Sequence, residues 1–159
     1  MQRIALVPQD TPVLHRVNKQ LEGLPDPEIE RLIPALIHTM HRHNGIGIAA
    51  PQVGLDMQLI VVNTKDDPLV LANPEITRRS LRTARDEEGC LSVPGVYGVV
   101  RRAQTVWVSG IDPRTGKPVS LKASGLFARV LQHETDHIHG TLFIDRTTTI
   151  TQRAPQPAS

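Results

Sequence analysis

The amino-acid sequence predicts a single domain that contains both α-helices and β-strands, and three observations support this fold class. The chain has 159 residues, which is the size of one ordinary domain with its own core. Two segments, at about residues 26–43 and 124–138, carry apolar residues at helical spacing. Between them lie several short apolar runs bounded by Gly, Pro, Asn and Asp, a pattern typical of strands and turns.

The composition argues against several classes of partner. The formal net charge is only +2, and basic residues lie in pairs such as Arg78-Arg79 and Arg101-Arg102 without forming a run, so we expect no direct nucleic-acid binding. No apolar run reaches the roughly 18 residues of a membrane span, and the N-terminus lacks a signal-peptide pattern. A single cysteine, Cys90, excludes an internal disulfide, so we expect a reducing, cytoplasmic setting.

The first 24 residues are predicted to form an irregular arm that leads into the first helix. Asp26 is a suitable N-cap, a proline follows at the first helical position, and Asn44-Gly45 supplies a C-terminal stop. Pro34 interrupts the pattern, so either the helix is kinked there or it begins later with Pro34 in its first turn. We expect this helix to end near His43.

The middle of the chain is predicted to be rich in strands. Strands are predicted at residues 58–63, 69–72, 96–100, 104–109 and 119–122. Asn73-Pro74 is expected to close the second of these strands. The third and fourth are predicted to pair with each other, and the fourth and fifth flank a hairpin turn at residues 112–116.

The second helix, at about residues 124–138, carries the strongest chemical signal in the chain. His133 and His137 are four residues apart, so they lie on one helical face and can hold a divalent metal between them. Glu134 is placed to reach a water bound to that metal rather than the ion itself. On this pattern alone, two surface histidines and a surface glutamate remain an equally good interpretation.

Two histidines leave a catalytic metal one protein ligand short. Downstream of His137, His139 lies about 200° further around the helix, and Asp145 is more simply interpreted as a surface residue. Upstream, Cys90 is the only cysteine. A thiolate beside two imidazoles would give a tetrahedral site with one position open to water, whereas the alternative is an inert buried thiol.

Three motifs carry a resemblance to a known family. They are Gly-Ile-Gly-Ile-Ala-Ala-Pro-Gln at residues 45–52, Glu-Gly-Cys-Leu-Ser at residues 88–92, and Gln-His-Glu-Thr-Asp-His at residues 132–137. In their order and separation they resemble the signature motifs of peptide deformylase, over about residues 10–146. The resemblance implies an α+β fold whose antiparallel strands wrap around a central metal-bearing helix. Residues 1–146 would form one catalytic domain, and residues 147–159 a short flexible tail.

The resemblance also implies the activity. The family hydrolytically removes the N-formyl group from formyl-methionyl nascent peptides and releases formate. The implied metal ligands are Cys90, His133 and His137, with Fe²⁺ as the native ion and Zn²⁺, Ni²⁺ or Co²⁺ able to replace it. Hydroxide formed from metal-bound water would attack the formyl carbonyl, with Glu134 as general base and then general acid.

Further residues acquire roles through the same resemblance. The Gln52 side-chain amide and the Leu91 backbone N–H would stabilise the oxyanion, although Gln52 alone is equally typical of a loop glutamine that binds local backbone. Ile46 and Gly47 would pair with an extended peptide. The remaining implied substrate contacts are Gly89, Leu126, Val130 and the stem of Arg129, of which Leu126 and Val130 also suit an ordinary core.

Supporting residues complete the expected site. Glu88 and Arg102 would form an ion pair that braces the cysteine loop. Asp136 suits a supporting, capping or plainly exposed position. The other histidines are assigned to the surface or to structural roles: His15, His38, His41, His43 and His139.

Two expectations concern partners. Bacterial relatives commonly continue beyond the position of Arg146 into a long basic helix implicated in ribosome docking. Only residues 147–159 follow here, so we expect at most transient ribosome contact, without such a helix. We expect a monomer with no membrane association.

Two other functions fit the same helix. Another metallopeptidase or amidase would cleave internal peptide bonds without needing Cys90. A non-catalytic module with a structural zinc would tolerate Glu134→Gln but unfold on Cys90→Ser.

Overall fold

A computed structural model of the protein describes residues 3–153. Within them the chain forms two α-helices, α1 (Pro27–Arg42) and α2 (Gly125–Ile138). The described strands are β1 (Gly47–Ala49), β2 (Leu59–Val62), β3 (Leu69–Arg79), β4 (Thr83–Cys90), β5 (Val93–Ala103), β6 (Thr105–Ile111), β7 (Pro118–Ser124) and β8 (Ile150–Gln152). Short 3-10 helices lie at Pro12–His15, Ala50–Val53 and Phe143–Asp145.

The described strands form two antiparallel sheets. One sheet has five strands in the order β1-β2-β3-β6-β7, and the other has three in the order β4-β5-β8. Every pairing within them is antiparallel. Two helices with small antiparallel sheets confirm the predicted α+β class.

Helix α2 lies at the centre of the molecule, and every residue from 128 to 135 is buried. Side chains alternate along a strand, so neighbouring residues of β2 face opposite sides of the sheet. Ile60 packs in the same core cluster as Leu131 of α2, whereas Leu59 packs in the cluster that contains Leu36 of α1. The β1–β3 part of the larger sheet is therefore covered by a helix on each face.

Helix α1 resolves the alternatives that Pro34 left open. The Asp26 side chain accepts a hydrogen bond of 2.9 Å from the Glu28 N–H, so the helix begins at Pro27 as the N-cap predicts. Pro34 lies inside the helix and is exposed. It removes the backbone hydrogen bond to the carbonyl of Glu30, which is also exposed, so water can replace that bond. His43 caps the C-terminus.

The strand predictions require three corrections. β3 continues through Asn73-Pro74 to Arg79, because a register shift between Ala72 and Glu75 lets the sheet accommodate the proline. β4 was not predicted, since its acidic sequence lacks the apolar alternation of a strand. β5 pairs with β4 and β8 instead of β6, so the predicted pair is wrong, whereas the predicted β6–β7 hairpin is confirmed.

The end of the described chain is ordered on the smaller sheet. β8 pairs with β5 from Val96 to Gly98, and the Arg153 N–H donates to the Gly95 carbonyl at 2.8 Å. The predicted tail therefore includes a short strand at residues 150–152, which pairs through its backbone although its side chains gave no strand signal. Residues 154–159 of that tail lie outside the described residues. Among the residues described, no helix is both long enough and apolar enough to cross a membrane.

Candidate active site

The structure brings the three predicted ligands together. Helix α2 presents His133 and His137, and the end of β4 presents Cys90. One donor atom from each residue lies within 4.8 Å of the other two, and Cys90 Sγ is 3.3 Å from His137 Nε2. Two imidazole nitrogens and one sulfur at this spacing are a suitable donor set for a zinc or iron ion. No other such group of His, Cys, Asp or Glu occurs in the part of the chain that the structure describes.

Glu88 orients the first histidine of this group. Its Oε1 lies 2.8 Å from His133 Nδ1, which leaves Nε2 of that ring for a metal. Burial alone would raise the pKa of Glu88, but hydrogen bonds from Arg102 and His133 hold it far below its usual range. Glu88 is therefore ionised at neutral pH, and His133 Nδ1–H donates to it. The ring of His133 also stacks on Phe143, with 6.2 Å between the ring centroids.

Two arginines hold the buried Glu88 carboxylate. Arg102 donates to it through Nε and Nη2, each at 2.9 Å, which is the pairing that the resemblance implies. Arg129 adds a third bond of 2.7 Å from Nη1, which was not anticipated from the sequence. Because all these groups are buried, each charge depends on the others for compensation.

Asp136 extends this network towards the surface. It accepts a 2.6 Å hydrogen bond from Arg102 Nη1 and bonds of 2.6 and 2.8 Å from Nε and Nη2 of Arg146. Its function is thus to support Arg102, one of the alternatives left open. Arg146 was missed because no motif marks a surface arginine as the partner of a residue ten positions earlier.

The pKa values of the two histidines are shifted in opposite directions. Burial opposes the charged form of His133, but its hydrogen bonds to Cys90 and Glu88 raise its pKa well above the usual value. Burial and the neighbouring His133 lower the pKa of His137. A metal that binds here must displace the proton of His133, so binding would release protons to solvent.

Glu134 lies beside the donor atoms and is also buried. Its Oε2 has no hydrogen-bond partner among the described residues, and burial raises its pKa to about 7. Gly47 of β1 lies directly against it: a Cβ at that glycine would be 2.6 Å from Glu134 Oε1 and 2.9 Å from a methyl of Val130. The absence of a side chain at Gly47 is therefore what lets β1 approach the carboxylate.

Gln52 makes the local backbone contact that the sequence left open, and its amide nitrogen also faces the site. Its Oε1 accepts a 2.8 Å bond from the Ala49 N–H, which is the local backbone contact. Its Nε2 then points into the site, 3.0 Å from Ser92 Oγ and 3.5 Å from Cys90 Sγ. Ser92, which belongs to the second motif, was not assigned a role from the sequence.

A pocket of about 350 Å³ opens over these groups. Gln52, Cys90, His133 and Glu134 line it, while the side chain of His137 is fully buried. Leu91 lines it as well. The predicted substrate contacts all line this pocket: Ile46, Gly47, Gly89, Leu126, Arg129 and Val130.

Comparison with known proteins agrees with these motifs. The family model described as polypeptide deformylase matches residues 1–153. The chain belongs to the polypeptide deformylase family. It is 46% identical over 149 residues to peptide deformylase 2 of Gloeobacter violaceus, covering 91% of this chain and 79% of that protein. It is 43% identical over 149 residues to a peptide deformylase of Desulforudis audaxviator, covering 93% and 96% respectively.

Solved structures of the family agree in fold. The peptide deformylase of Thermotoga maritima matches with a TM-score of 0.89 at 34% identity, covering 94% of this chain and 100% of that one. The peptide deformylase of Synechococcus elongatus in complex with actinonin matches with a TM-score of 0.87 at 43% identity, covering 92% and 79%. The resemblance seen in the three motifs is therefore confirmed over most of the chain, and family members are enzymes.

The structure gives further detail on two of the family-derived substrate contacts. Leu126 is 65% exposed, so it lies at the rim of the pocket, and the alternative of an ordinary core residue is wrong for it. It occupies the first turn of α2. Arg129 directs its guanidinium into the structure, towards Glu88 and the carbonyls of Val100 and Ala84. Only its stem is left for a substrate.

The remaining histidines have local roles in the deformylase fold. His139 Nδ1 lies 2.9 Å from the Thr135 carbonyl, and His15 Nε2 lies 2.7 Å from the Gln9 carbonyl. His38 and His41 are exposed on α1. His43, assigned only to the surface or to structure, also borders the pocket.

Proposed function

We propose that this chain hydrolyses the N-terminal formyl group of formyl-methionyl nascent peptides and releases formate. One observation carries the proposal: the donor atoms of Cys90, His133 and His137 converge within 4.8 Å of one another. They do so beside a pocket that also contains the buried carboxylate of Glu134. A metal-dependent hydrolase needs this combination of a metal-ligand set and a nearby proton acceptor.

Cys90, His133 and His137 would hold one divalent metal ion. When bound, such an ion acts as a Lewis acid that polarises a carbonyl oxygen and makes water easier to deprotonate. We infer Fe²⁺ as the native ion from family membership, although nitrogen and sulfur ligands also accept Zn²⁺, Ni²⁺ and Co²⁺. Glu88 supports this assignment because it fixes the His133 ring with Nε2 free.

Glu134 is the proposed proton-transfer group. Its pKa of about 7 is suitable for a group that takes a proton from the attacking water and then gives it to the leaving amine near neutral pH. Its Oε2 has no protein partner among the described residues, so that oxygen can bond to the reacting water. The close approach of Gly47 limits where the carboxylate can move.

Two donors are proposed to stabilise the charge that develops on the formyl oxygen. The Gln52 amide is held by the bond from Ala49 N–H to its Oε1, so its Nε2 is already oriented. The Leu91 backbone N–H is the second donor, and this residue lines the same pocket. Loss of one such donor typically lowers the rate by about 10²–10³.

The substrate main chain is proposed to bind along β1. This short strand is at the edge of the five-stranded sheet, with no other described strand on its outer side. An extended peptide could pair with Ile46 and Gly47 there, which accommodates many sequences after the first residue. Val130, Leu126 and the stem of Arg129 would surround the methionine side chain, with Gly89 on the opposite wall.

The same chemistry supports inferences about the cellular compartment and the oligomeric state. We infer a reducing cytosol, because Cys90 must stay a thiolate to bind a metal. All the proposed groups come from one chain, so a monomer is sufficient for activity. Nascent peptides as substrates imply transient encounters with ribosomes.

The test is formate release from formyl-Met-Ala-Ser by the wild type and by Glu134→Gln, with metal content measured in both. We expect Glu134→Gln to keep its metal and to lose about 10²–10⁴ in kcat. Cys90→Ala should lose both metal and activity. Wild-type rates in metal-loaded Glu134→Gln would refute the mechanism, and cleavage of internal peptide bonds by Cys90→Ala would favour a different metallopeptidase.

A further inference from the structure

A second surface of the molecule carries positively charged side chains that form no ion pairs among the described residues. Residues 78–85 contain four arginines and no acid: Arg78, Arg79, Arg82 and Arg85. All four are exposed at the corner where β3 leads into β4. The neighbouring strands add the exposed Arg101 and Lys122. We call these six residues the arginine strip.

Strand pairing brings the strip together from separate parts of the sequence. Arg85 lies directly opposite Arg101 in the β4–β5 ladder. Trp107 of β6 lies opposite Arg78 on one side and Lys122 on the other. The Gln104 N–H donates to the Arg82 carbonyl at 3.0 Å, and this bond joins the two groups at the corner between the sheets.

This arrangement is electrostatically unfavourable for the isolated protein. Like charges directly opposite each other in an antiparallel pair are destabilising. None of the six residues forms an ion pair within residues 3–153. Arg102, the immediate neighbour of Arg101, is in contrast buried and paired with Glu88 and Asp136. The fold therefore compensates its buried arginine and leaves the strip uncompensated.

Trp107 orders part of the strip without neutralising it. The guanidinium of Arg78 lies 4.6 Å from the centroid of its ring, and the ammonium of Lys122 lies 5.4 Å from it. Cation–π contacts fix the two side chains while leaving their positive charge available to a partner. Asp86 directly follows Arg85 and Glu75 lies three residues before Arg78, but neither forms an ion pair with the strip within residues 3–153, and Glu87 is already paired with Arg153.

We propose that the arginine strip binds the phosphate backbone of RNA. Five of its six cations are arginines, whose planar, forked donors match phosphate oxygens two at a time. Several exposed cations without ion-pair partners suit a polymer with one negative charge per nucleotide. A lipid surface fits less well, because buried apolar area strengthens binding there and residues 78–85 carry only one large exposed apolar side chain, Leu81.

One end of the arginine strip lies close to the pocket of the candidate active site. Arg85 is two residues from Glu87, which lines the pocket. RNA bound along the strip would therefore lie beside the pocket mouth without covering the metal-ligand cluster. This inference stands apart from the proposed hydrolysis, and it revises the expectation, drawn from scattered arginine pairs, that no nucleic acid is bound.

The test uses a fluorescently labelled 20-base-pair RNA duplex and the full chain, by anisotropy between about 50 and 200 mM KCl. We expect a Kd on the order of 10⁻⁴–10⁻⁶ M and a steep decrease in affinity with salt, since each phosphate contact contributes about −0.9 to the log–log slope. The fluorescence of Trp107, the only tryptophan, should change on binding. Arg82→Glu/Arg85→Glu should weaken binding at least tenfold and reduce the slope by about two contacts.

The matched control is Arg31→Glu/Arg42→Glu, which makes the same change in net charge on exposed positions of α1. It should retain most of the affinity, and both double variants should release formate from a short peptide at the wild-type rate. Equal loss of RNA binding in the two variants would overturn the proposal, because general charge would then explain it. Absence of RNA binding at 50 mM salt, or tighter binding to phosphatidylserine vesicles than to RNA, would also overturn it.

Discussion

Glu88 and His133 are joined by a contact of 2.8 Å between Oε1 and Nδ1, although 45 residues separate them in the sequence. The same carboxylate accepts hydrogen bonds from Arg102 and Arg129. One buried anion therefore orients a proposed metal ligand and compensates two buried cations. This dual role makes Glu88 the residue that couples the stability of the fold to the geometry of the site.

Glu88→Ala should destabilise the protein by about 3–5 kcal/mol, because it leaves the buried Arg129 guanidinium without its anion and Arg102 with Asp136 alone. The free energy of unfolding in urea measures this effect. The same variant should bind metal about 10–100-fold more weakly, since His133 loses the partner that orients it.

Glu87→Ala is the control for this prediction. Glu87 is the adjacent residue and is exposed, and its ion pair with Arg153 lies at the surface. Its loss should change stability by less than about 1 kcal/mol. Similar losses in the two variants would show that the buried network is not what stabilises the fold.

The buried Glu134 should make the metal-free protein less stable as the pH rises. Burial raises its pKa from 4.5 to about 7, so the folded state keeps a proton that the unfolded state has already released between these values. Stability is then full below about pH 4.5, decreases up to about pH 7 and is constant above it. Glu134→Gln should remove this dependence and stabilise the apoprotein by about 3 kcal/mol at pH 8.

Denaturant unfolding of the wild type and Glu134→Gln at pH 4 and pH 8, both with a chelator present, measures the effect. The two proteins should be nearly equal at pH 4 and differ at pH 8. A constant difference between them would mean that the pKa of Glu134 in the folded state is not raised above its value in the unfolded state.

Gly47→Ala should impair catalysis by displacing Glu134. The added Cβ would lie 2.6 Å from Glu134 Oε1 and 2.9 Å from Val130 Cγ1, so the carboxylate must move. A displacement of about 1 Å in a proton-transfer group can lower kcat about 10²-fold. Metal content should be unchanged, because the three atoms nearest to the added Cβ belong to Glu134 and Val130 rather than to a proposed ligand.

Gly45→Ala provides the comparison. Its Cβ would meet the terminal Leu91 Cδ1 at 2.8 Å, and a flexible methyl can rotate away. We expect less than a tenfold loss of kcat in steady-state formate release. Equal losses in the two variants would point to a general disturbance of the β1 segment.

Removal of the metal should lower stability as well as activity. A ligand that binds only the folded state contributes about 4 kcal/mol when its free concentration is 1,000 times its Kd. Chelation should therefore lower the Tm and stop formate release, and metal affinity should weaken as pH falls because His133 must lose a proton. In Cys90→Ala the chelator should leave the Tm unchanged; an equal shift there would exclude Cys90 as a ligand.

Local sequence patterns predicted the two α-helices and the two histidines of the proposed metal site. Spacing by four residues placed His133 and His137 on one face of α2, because helix geometry is set by the chain itself. The same holds for the start of α1, where Asp26 caps its own helix. The three motifs then identified the family, and Cys90 with it.

Strand partners depended on tertiary structure instead. β5 and β6 follow each other closely, yet they lie in different sheets because the chain turns a corner at Gln104. β4 forms from an acidic sequence because β5 supplies its hydrogen bonds. Strand pairing of this kind joins residues that lie too far apart in the sequence for a local pattern to reveal.

The sequence by itself determined the chemical inventory: two imidazoles on one helical face, one thiol and one adjacent carboxylate. Only the tertiary structure decided how these groups are supported and what lies around them. It gathered Arg102, Arg129 and His133 around Glu88, and it collected separate arginines into one exposed strip. The physical reason is that helical spacing is a property of consecutive residues, whereas charge compensation depends on which distant segments the packed core brings into contact.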